Sequence, residues 1–153
     1  MEKLDRIHAS CVYINTGNGQ KGAVLIKGKS GSGKSDLVLR LIDRGAKLVG
    51  DDWIDVYKDD KKILVSSPKR IKGVLEIRGL GLFKFDPIDE TSLSFVVNLV
   101  PRESIQRLPE DKTEKIGGID FPMIDLYPFE TSAPIKLEKA FKAVFNSNIK
   151  YTE

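Results

Sequence analysis

The spacing of apolar positions changes along the chain, and each change marks an element. Cys11–Asn15 (CVYIN) and Ala23–Lys27 (AVLIK) are short apolar runs, and the turn-rich TGNGQKG between them predicts a hairpin. From Lys34 the period lengthens: Leu37, Val38, Leu41 and Ile42 share one face of a helix, which Gly45 ends. Ala46–Val49 and Trp53–Tyr57 read as strands separated by the polar pair Asp51–Asp52, and Lys58–Lys62 reads as a solvated turn. Further strands are expected at Ile63–Ser66, Val74–Ile77, Leu93–Val100 and Phe121–Leu126, and a closing amphipathic helix at Ile135–Phe145. The run LSFVVNLV is apolar at almost every position, as in a central strand covered on both faces. Pro101–Gly118 has no periodicity and is expected to be a surface loop or lid, long enough to imply a function. Strands and helices in this succession around one sheet make an α/β domain.

Composition narrows the function classes. The 153 residues suit one compact domain spanning 1–153. Net charge is only +3, and basic residues are interleaved with acidic ones, which argues against a dedicated nucleic-acid binder and leaves room only for a local patch. No segment approaches the ~20 apolar residues of a membrane span, and MEKLDRIHAS lacks the apolar centre of a signal peptide. One cysteine, Cys11, excludes an internal disulfide framework, and one histidine leaves no case for zinc. A cytoplasmic compartment is expected.

The chemistry is concentrated between the second strand and the first helix. Gly28, Lys29, Ser30, Gly31, Ser32, Gly33, Lys34 and Ser35 satisfy G-x-x-x-x-G-K-[ST] at every specified position. Glycines let successive backbone N–H groups curl around a triphosphate. The following helix points its N-terminal amides and positive dipole end at the anion. Lys34 then meets the β/γ oxygens, and the Ser35 hydroxyl coordinates Mg²⁺. ATP and Mg²⁺ are the expected cofactors.

Other residues carry two readings each. Adjacent residues on extended chain point to opposite sides, so Asp51 and Asp52 can divide between Mg²⁺ and an acceptor, or simply form a polar turn. His8 is otherwise an exposed or core-satisfying histidine. Glu76 and Arg78 alternate on a strand, which alone describes a solvated face, while Gly79 and Gly81 suggest close backbone approach. Trp53 reads as a core tryptophan, Cys11 as an inert buried thiol, and Lys136, Lys139 and Lys142 as a solvated helix face.

Taken in order, HAS near the start, GKSGSGKS, LVGDDW and LEIRGLGLF resemble the catalytic domain of the HPr kinase/phosphorylase family, in its short form without the separate N-terminal domain. The resemblance runs strongly from His8 to Phe83 and more loosely to Leu108. It implies a P-loop-containing mixed sheet flanked by helices, similar to phosphoenolpyruvate carboxykinase. It also implies an ATP- and Mg²⁺-dependent serine kinase acting on an HPr-like phosphocarrier, with hexameric assembly in the family. Asp51 would be the general base on the acceptor serine, with His8 orienting it. Ser35, Asp52 and Glu76 would lie on the metal side. Arg78 would tie down the acidic cluster, and Arg107 in IQRLPE, with Arg102 as runner-up, would complete the site. The segment linked to phosphorolysis is shortened, so the kinase direction is the expected one. A small-molecule kinase and a nucleotide-binding regulatory module remain the alternative readings.

Overall fold

The computed structural model describes Met1–Tyr151. Its strands are β1 (Glu2–Asn15), β2 (Lys21–Lys27), β3 (Lys47–Gly50), β4 (Trp53–Asp59), β5 (Lys62–Ser66), β6 (Val74–Ile77), β7 (Gly81–Lys84), β8 (Thr91–Leu99), β9 (Lys112–Ile116) and β10 (Ile119–Leu126). Helix α1 (Lys34–Asp43) follows β2, and α2 (Ala133–Phe145) follows β10. The architecture is a mixed sheet with flanking helices: an α/β domain, as the apolar patterning predicts, with the mixed sheet that the resemblance implies.

The strands arrange around β1 and β8. Residues Ala9–Asn15 of β1 pair antiparallel with β2 through the expected hairpin, where Asn15 Oδ1 accepts from Gly17 N at 2.9 Å. The other half of β1, Glu2–His8, pairs with β4. β4 pairs with β5, and β5 reaches the start of β8. β8 in turn runs parallel to both β2 and β10. These pairings join end to end, so the sheet curls round one core made of Ala9, Cys11, Leu25, Ile54, Val56, Ile63, Val65 and Val96. A second core lies under the helices, where Leu37, Val38 and Leu41 of α1 and Leu137 and Phe141 of α2 meet Val24, Ile26, Phe95 and Val97. β8 feeds both cores from alternate side chains, which is why its sequence is almost continuously apolar.

Three expectations require correction. The segment 101–118 is not loop throughout: Lys112–Ile116 forms β9, an outer strand hairpinned to β10. Gly79 and Gly81 do not mark close approach, since a Cβ at either would meet nothing within 4 Å. Both have positive φ, 89° and 125°, and serve the turn between β6 and β7. Trp53 is not in the core; it is 42% exposed.

Where β1 leaves β2 for β4, a charge cluster fastens the strands. Arg6 and Asp55 are cross-strand partners, with Nε donating to Oδ1 at 2.6 Å and Nη2 to Oδ2 at 3.2 Å, and Lys3 lies 3.3 Å away. The Arg6 hydrogen bond holds the buried Asp55 carboxyl below its usual range, against the opposing effect of burial. A depressed folded-state pKa stabilises above the unfolded value, about 3.9, and this contribution is lost as pH falls through the folded value. Asp55→Asn should therefore lower the urea midpoint at pH 7, with the gap to wild type narrowing progressively below about pH 4. A gap that stays constant from pH 7 to pH 3 contradicts this.

Candidate active site

The glycine loop joins β2 to α1 at the carboxyl end of a parallel strand. Gly31 and Gly33 have φ of 80° and 97°, and Gly33 caps α1, accepting from Leu37 N at 3.0 Å. A side chain at Gly33 would press on Phe129 at 3.0 Å and Pro128 at 3.2 Å, and one at Gly28 would strike Ser32 Oγ at 2.5 Å. Both positions are tight for a side chain, and at Gly33 the backbone conformation itself favours glycine. Ser32 Oγ is buried without a hydrogen-bond partner, an open polar group inside the loop. The Lys34 side chain is buried along the loop, and its Nζ donates to the carbonyls of Gly28 at 2.7 Å and Lys29 at 2.9 Å. Burial lowers the Lys34 pKa from its ordinary value, and the fields of Asp52 and Asp51 act in the opposite direction.

Across from the loop stands a break in a strand. β3 and β4 both lie antiparallel to β1, Cys11 facing Gly50 and His8 facing Trp53, so they are two pieces of one strand interrupted at Asp51 and Asp52. Trp53 N donates to Asp51 O at 2.8 Å around Asp52, whose φ is 72°. That is a γ-turn of the strained, positive-φ kind. Ala9 N closes the gap by donating to Asp52 O at 3.1 Å.

The turn sends its two carboxylates apart. Asp51 is 8% exposed and accepts from Ser10 Oγ at 2.6 Å and from Ser35 Oγ at 2.9 and 3.0 Å. Asp52 turns outward and pairs with His8 Nε2 at 2.7 Å. The Trp53 ring meets His8 edge-on at 5.2 Å and fixes its orientation.

Comparison with known proteins identifies the family. A family model described as "HPr Serine kinase C-terminal domain" matches residues 2–135. The chain belongs to that family. HPr kinase/phosphorylase of Lactobacillus johnsonii is 37% identical over 113 residues, covering 66% of this chain and 35% of the relative. The Geobacillus thermodenitrificans HPr kinase/phosphorylase is 36% identical over 115 residues, covering 67% of this chain and 37% of the relative. This chain thus spans about a third of the length of these curated relatives. The solved HPr(Ser) kinase/phosphatase of Coxiella burnetii superposes with a TM-score of 0.77 at 28% identity, covering 95% of this chain and 97% of that one.

Within this family framework, some expected site residues come together and others do not. His8, Ser35, Asp51 and Asp52 converge beside Lys34. Their pairing differs from expectation, however: Ser35 contacts Asp51 rather than Asp52, and His8 contacts Asp52. The reason is the γ-turn, which aims Asp51 inward at α1. Glu76 and Arg78 do not join the cluster. Both are exposed on the β6–β7 hairpin, a separate two-stranded sheet, and the partners of Asp51 and Asp52 are Ser10, Ser35 and His8 instead. Arg107 lies exposed in the segment before β9 and faces α2, whereas Arg102 stacks 4.8 Å over the ring of Tyr127, near the glycine loop.

Ser10 is the site residue that sequence reasoning missed. Its hydroxyl is fully buried, donates to Asp51, and accepts weakly from Asp52 N at 3.5 Å. A lone serine within the apolar run from Ala9 to Val12 was the available signal, since buried hydroxyls need partners.

Oxygen donors suited to a hard cation stand here too. Among the described residues no three His, Cys, Asp or Glu side chains form a metal cage, and the Ser35 hydroxyl and Asp51 carboxylate are the donors beside the loop. One or two carboxylates completed by phosphates and water is how Mg²⁺ is commonly held, so these residues fit that ion.

Ser10→Ala should destabilise the protein by about 1.5–3 kcal/mol, the range for a hydrogen bond to a charged group, read from urea unfolding. The same variant combined with Asp51→Asn should lose less than the sum of the two single changes. Additive losses would show that Ser10 does not act through Asp51.

Proposed function

We propose that residues 1–153 act as one kinase catalytic domain, transferring the γ-phosphoryl group of ATP, with Mg²⁺, to a serine of an HPr-type phosphocarrier. The observation that carries this is the direct contact of Ser35 with Asp51. It brings the start of a phosphate-binding helix and a buried carboxylate to one point. Family membership supports the acceptor, as the relatives bear the name HPr kinase/phosphorylase.

In this reading Gly28–Ser35 is a P-loop. Its backbone amides and the first-turn amides of α1 hold the triphosphate. Lys34 exchanges the loop carbonyls it now contacts for phosphate oxygens. Ser35 would offer its hydroxyl oxygen to Mg²⁺, which would supply neutralisation of the charge that develops on the phosphoryl group. Asp51 then takes the proton of the acceptor hydroxyl. Its Oδ1 already receives both serine hydroxyls while Oδ2 receives only Ser35, so Oδ2 keeps lone-pair capacity for that proton. The His8–Asp52 pair, being partly exposed, faces the side from which a protein acceptor must arrive, and we assign it to orienting that hydroxyl. Transition-state charge needs a further cation, and Arg107, or Arg102 on its Tyr127 platform, fills that role.

The test is incubation with labelled ATP, Mg²⁺ and purified HPr, followed by mass spectrometry of the acceptor. Phosphoserine on HPr is expected, and its absence in every condition removes the acceptor assignment. Lys34→Ala should abolish ATP binding in a fluorescent-analogue titration. Asp51→Asn should keep ATP affinity, measured without Mg²⁺, within a few-fold and slow single-turnover transfer by ~10²–10⁴, the contribution of a placed general base. Smaller losses are expected for Asp52→Asn and His8→Ala, and combining them should cost little more than either alone. Wild-type transfer by Asp51→Asn puts the base elsewhere.

A further inference from the structure

The parallel strands β2, β8 and β10 end side by side at Lys27, Leu99 and Leu126. Ligands of open α/β sheets sit beyond the carboxyl ends of such strands. Three loops therefore share that edge: the glycine loop, the loop carrying Arg102, and the loop carrying Tyr127, Pro128 and Phe129. The second and third are joined to each other by side chains. The Arg102 guanidinium lies 4.8 Å over the Tyr127 ring, and Tyr127 meets Phe129 edge-on with centroids 5.7 Å apart.

The third loop is also tied to the first. Phe129 presses against Gly33, where a Cβ would come within 3.0 Å of two of its ring atoms. Pro128 is buried, and Arg40 of α1 donates to the carbonyls of Pro128 at 2.5 Å and Glu130 at 3.2 Å. Loop and helix are thus clamped together. Yet the Phe129 ring is 60% exposed. An exposed loop aromatic normally has no fixed position; this one is held at the edge of the phosphate cradle with most of its ring open to solvent.

We propose that Phe129, backed by Tyr127 and Arg102, is the platform on which the nucleobase of the bound nucleoside triphosphate stacks, purines binding best because they offer the larger π-face. The proposal rests on Gly28–Ser35 being the phosphate cradle. Nothing in the loop itself can recognise a base, since its groups are amides, hydroxyls and cations directed at phosphate. The rigid aromatic supplies the missing half of the site. Stacking is tolerant of base identity, so the platform gives affinity for nucleotides over bare polyphosphates, with purine preference as a secondary effect.

The test compares MgATP with magnesium tripolyphosphate, which carries the phosphates without a base, by calorimetric titration of the full chain. Phe129→Ala should weaken ATP by about tenfold, within the range of one base–aromatic stack, and leave tripolyphosphate within about twofold. Phe129→Leu, which keeps an apolar contact on Gly33 but has no π-face, should also lose ATP affinity selectively, while Phe129→Trp should keep it. Unchanged ATP affinity in both Phe129→Ala and Phe129→Leu overturns the proposal. Equal weakening of both ligands overturns it as well, because Phe129 would then only be shaping the loop through Gly33. If wild type binds neither ligand, the phosphate cradle itself is misread and the proposal falls with it.

Discussion

The site depends on one buried carboxylate. Asp51 is almost out of solvent, where an ionised group without partners is very costly. Its two donors come from different parts of the chain: Ser10 from the middle of β1 and Ser35 from the first turn of α1. Sliding α1 along the sheet, or letting β1 slip in register, would strip a donor from that charge. The carboxylate therefore fixes where the helix begins relative to the strand, and with it the position of the glycine loop between them. Lys34 is drawn into the same arrangement, since the nearby acidic pair opposes the loss of its charge on burial.

The strain at Asp52 follows from how β1 is used. Its first half pairs with β4 and its second with β2 and β3, and the strand beside it is interrupted opposite His8 and Ala9. A non-glycine residue at φ 72° costs on the order of 1–3 kcal/mol. The hydrogen bonds from Ala9 N to Asp52 O and from Trp53 N to Asp51 O hold it in place. The turn gives neighbouring residues opposite environments. A regular strand would also point them to opposite faces, but it would not bring one carboxylate onto a helix start while leaving the other on the rim.

Much of this was legible in the sequence where burial writes a pattern. The apolar stripe of α1, the continuous run of β8 and the glycine spacing of the loop all appear in the structure because each is forced by packing or by close contact. Elements that bury little left no such trace. Glu2–Arg6, the first part of β1, is exposed and charged; β9 (KTEKI) is an outer strand; and β7 is exposed along its whole length. Trp53 misled for the complementary reason: large aromatics usually go inside, yet this one is kept at the surface by its cross-strand position opposite His8. The pairing within the acidic cluster was not readable at all. Sequence shows two adjacent aspartates, and only the γ-turn at Asp52 decides which of them meets Ser35.

The rim around Asp52 shows the same logic applied to access. Asp52 keeps 62% of its side chain exposed while holding His8 at 2.7 Å, and Trp53 closes on the imidazole from the side. An imidazole with a carboxylate on one nitrogen and an aromatic against its edge loses rotational freedom at little cost in accessibility. Such a group can position an incoming hydroxyl without being sealed from it. A small metabolite could enter a closed pocket, and an enzyme for one gains by burying its orienting groups to exclude water. A protein side chain arrives attached to a bulky surface and needs an open rim. In the proposed reading, the buried Lys34 and Asp51 stand at the loop with Ser35 while the His8–Asp52 pair stands on an exposed edge, which suits an acceptor hydroxyl carried on a protein surface.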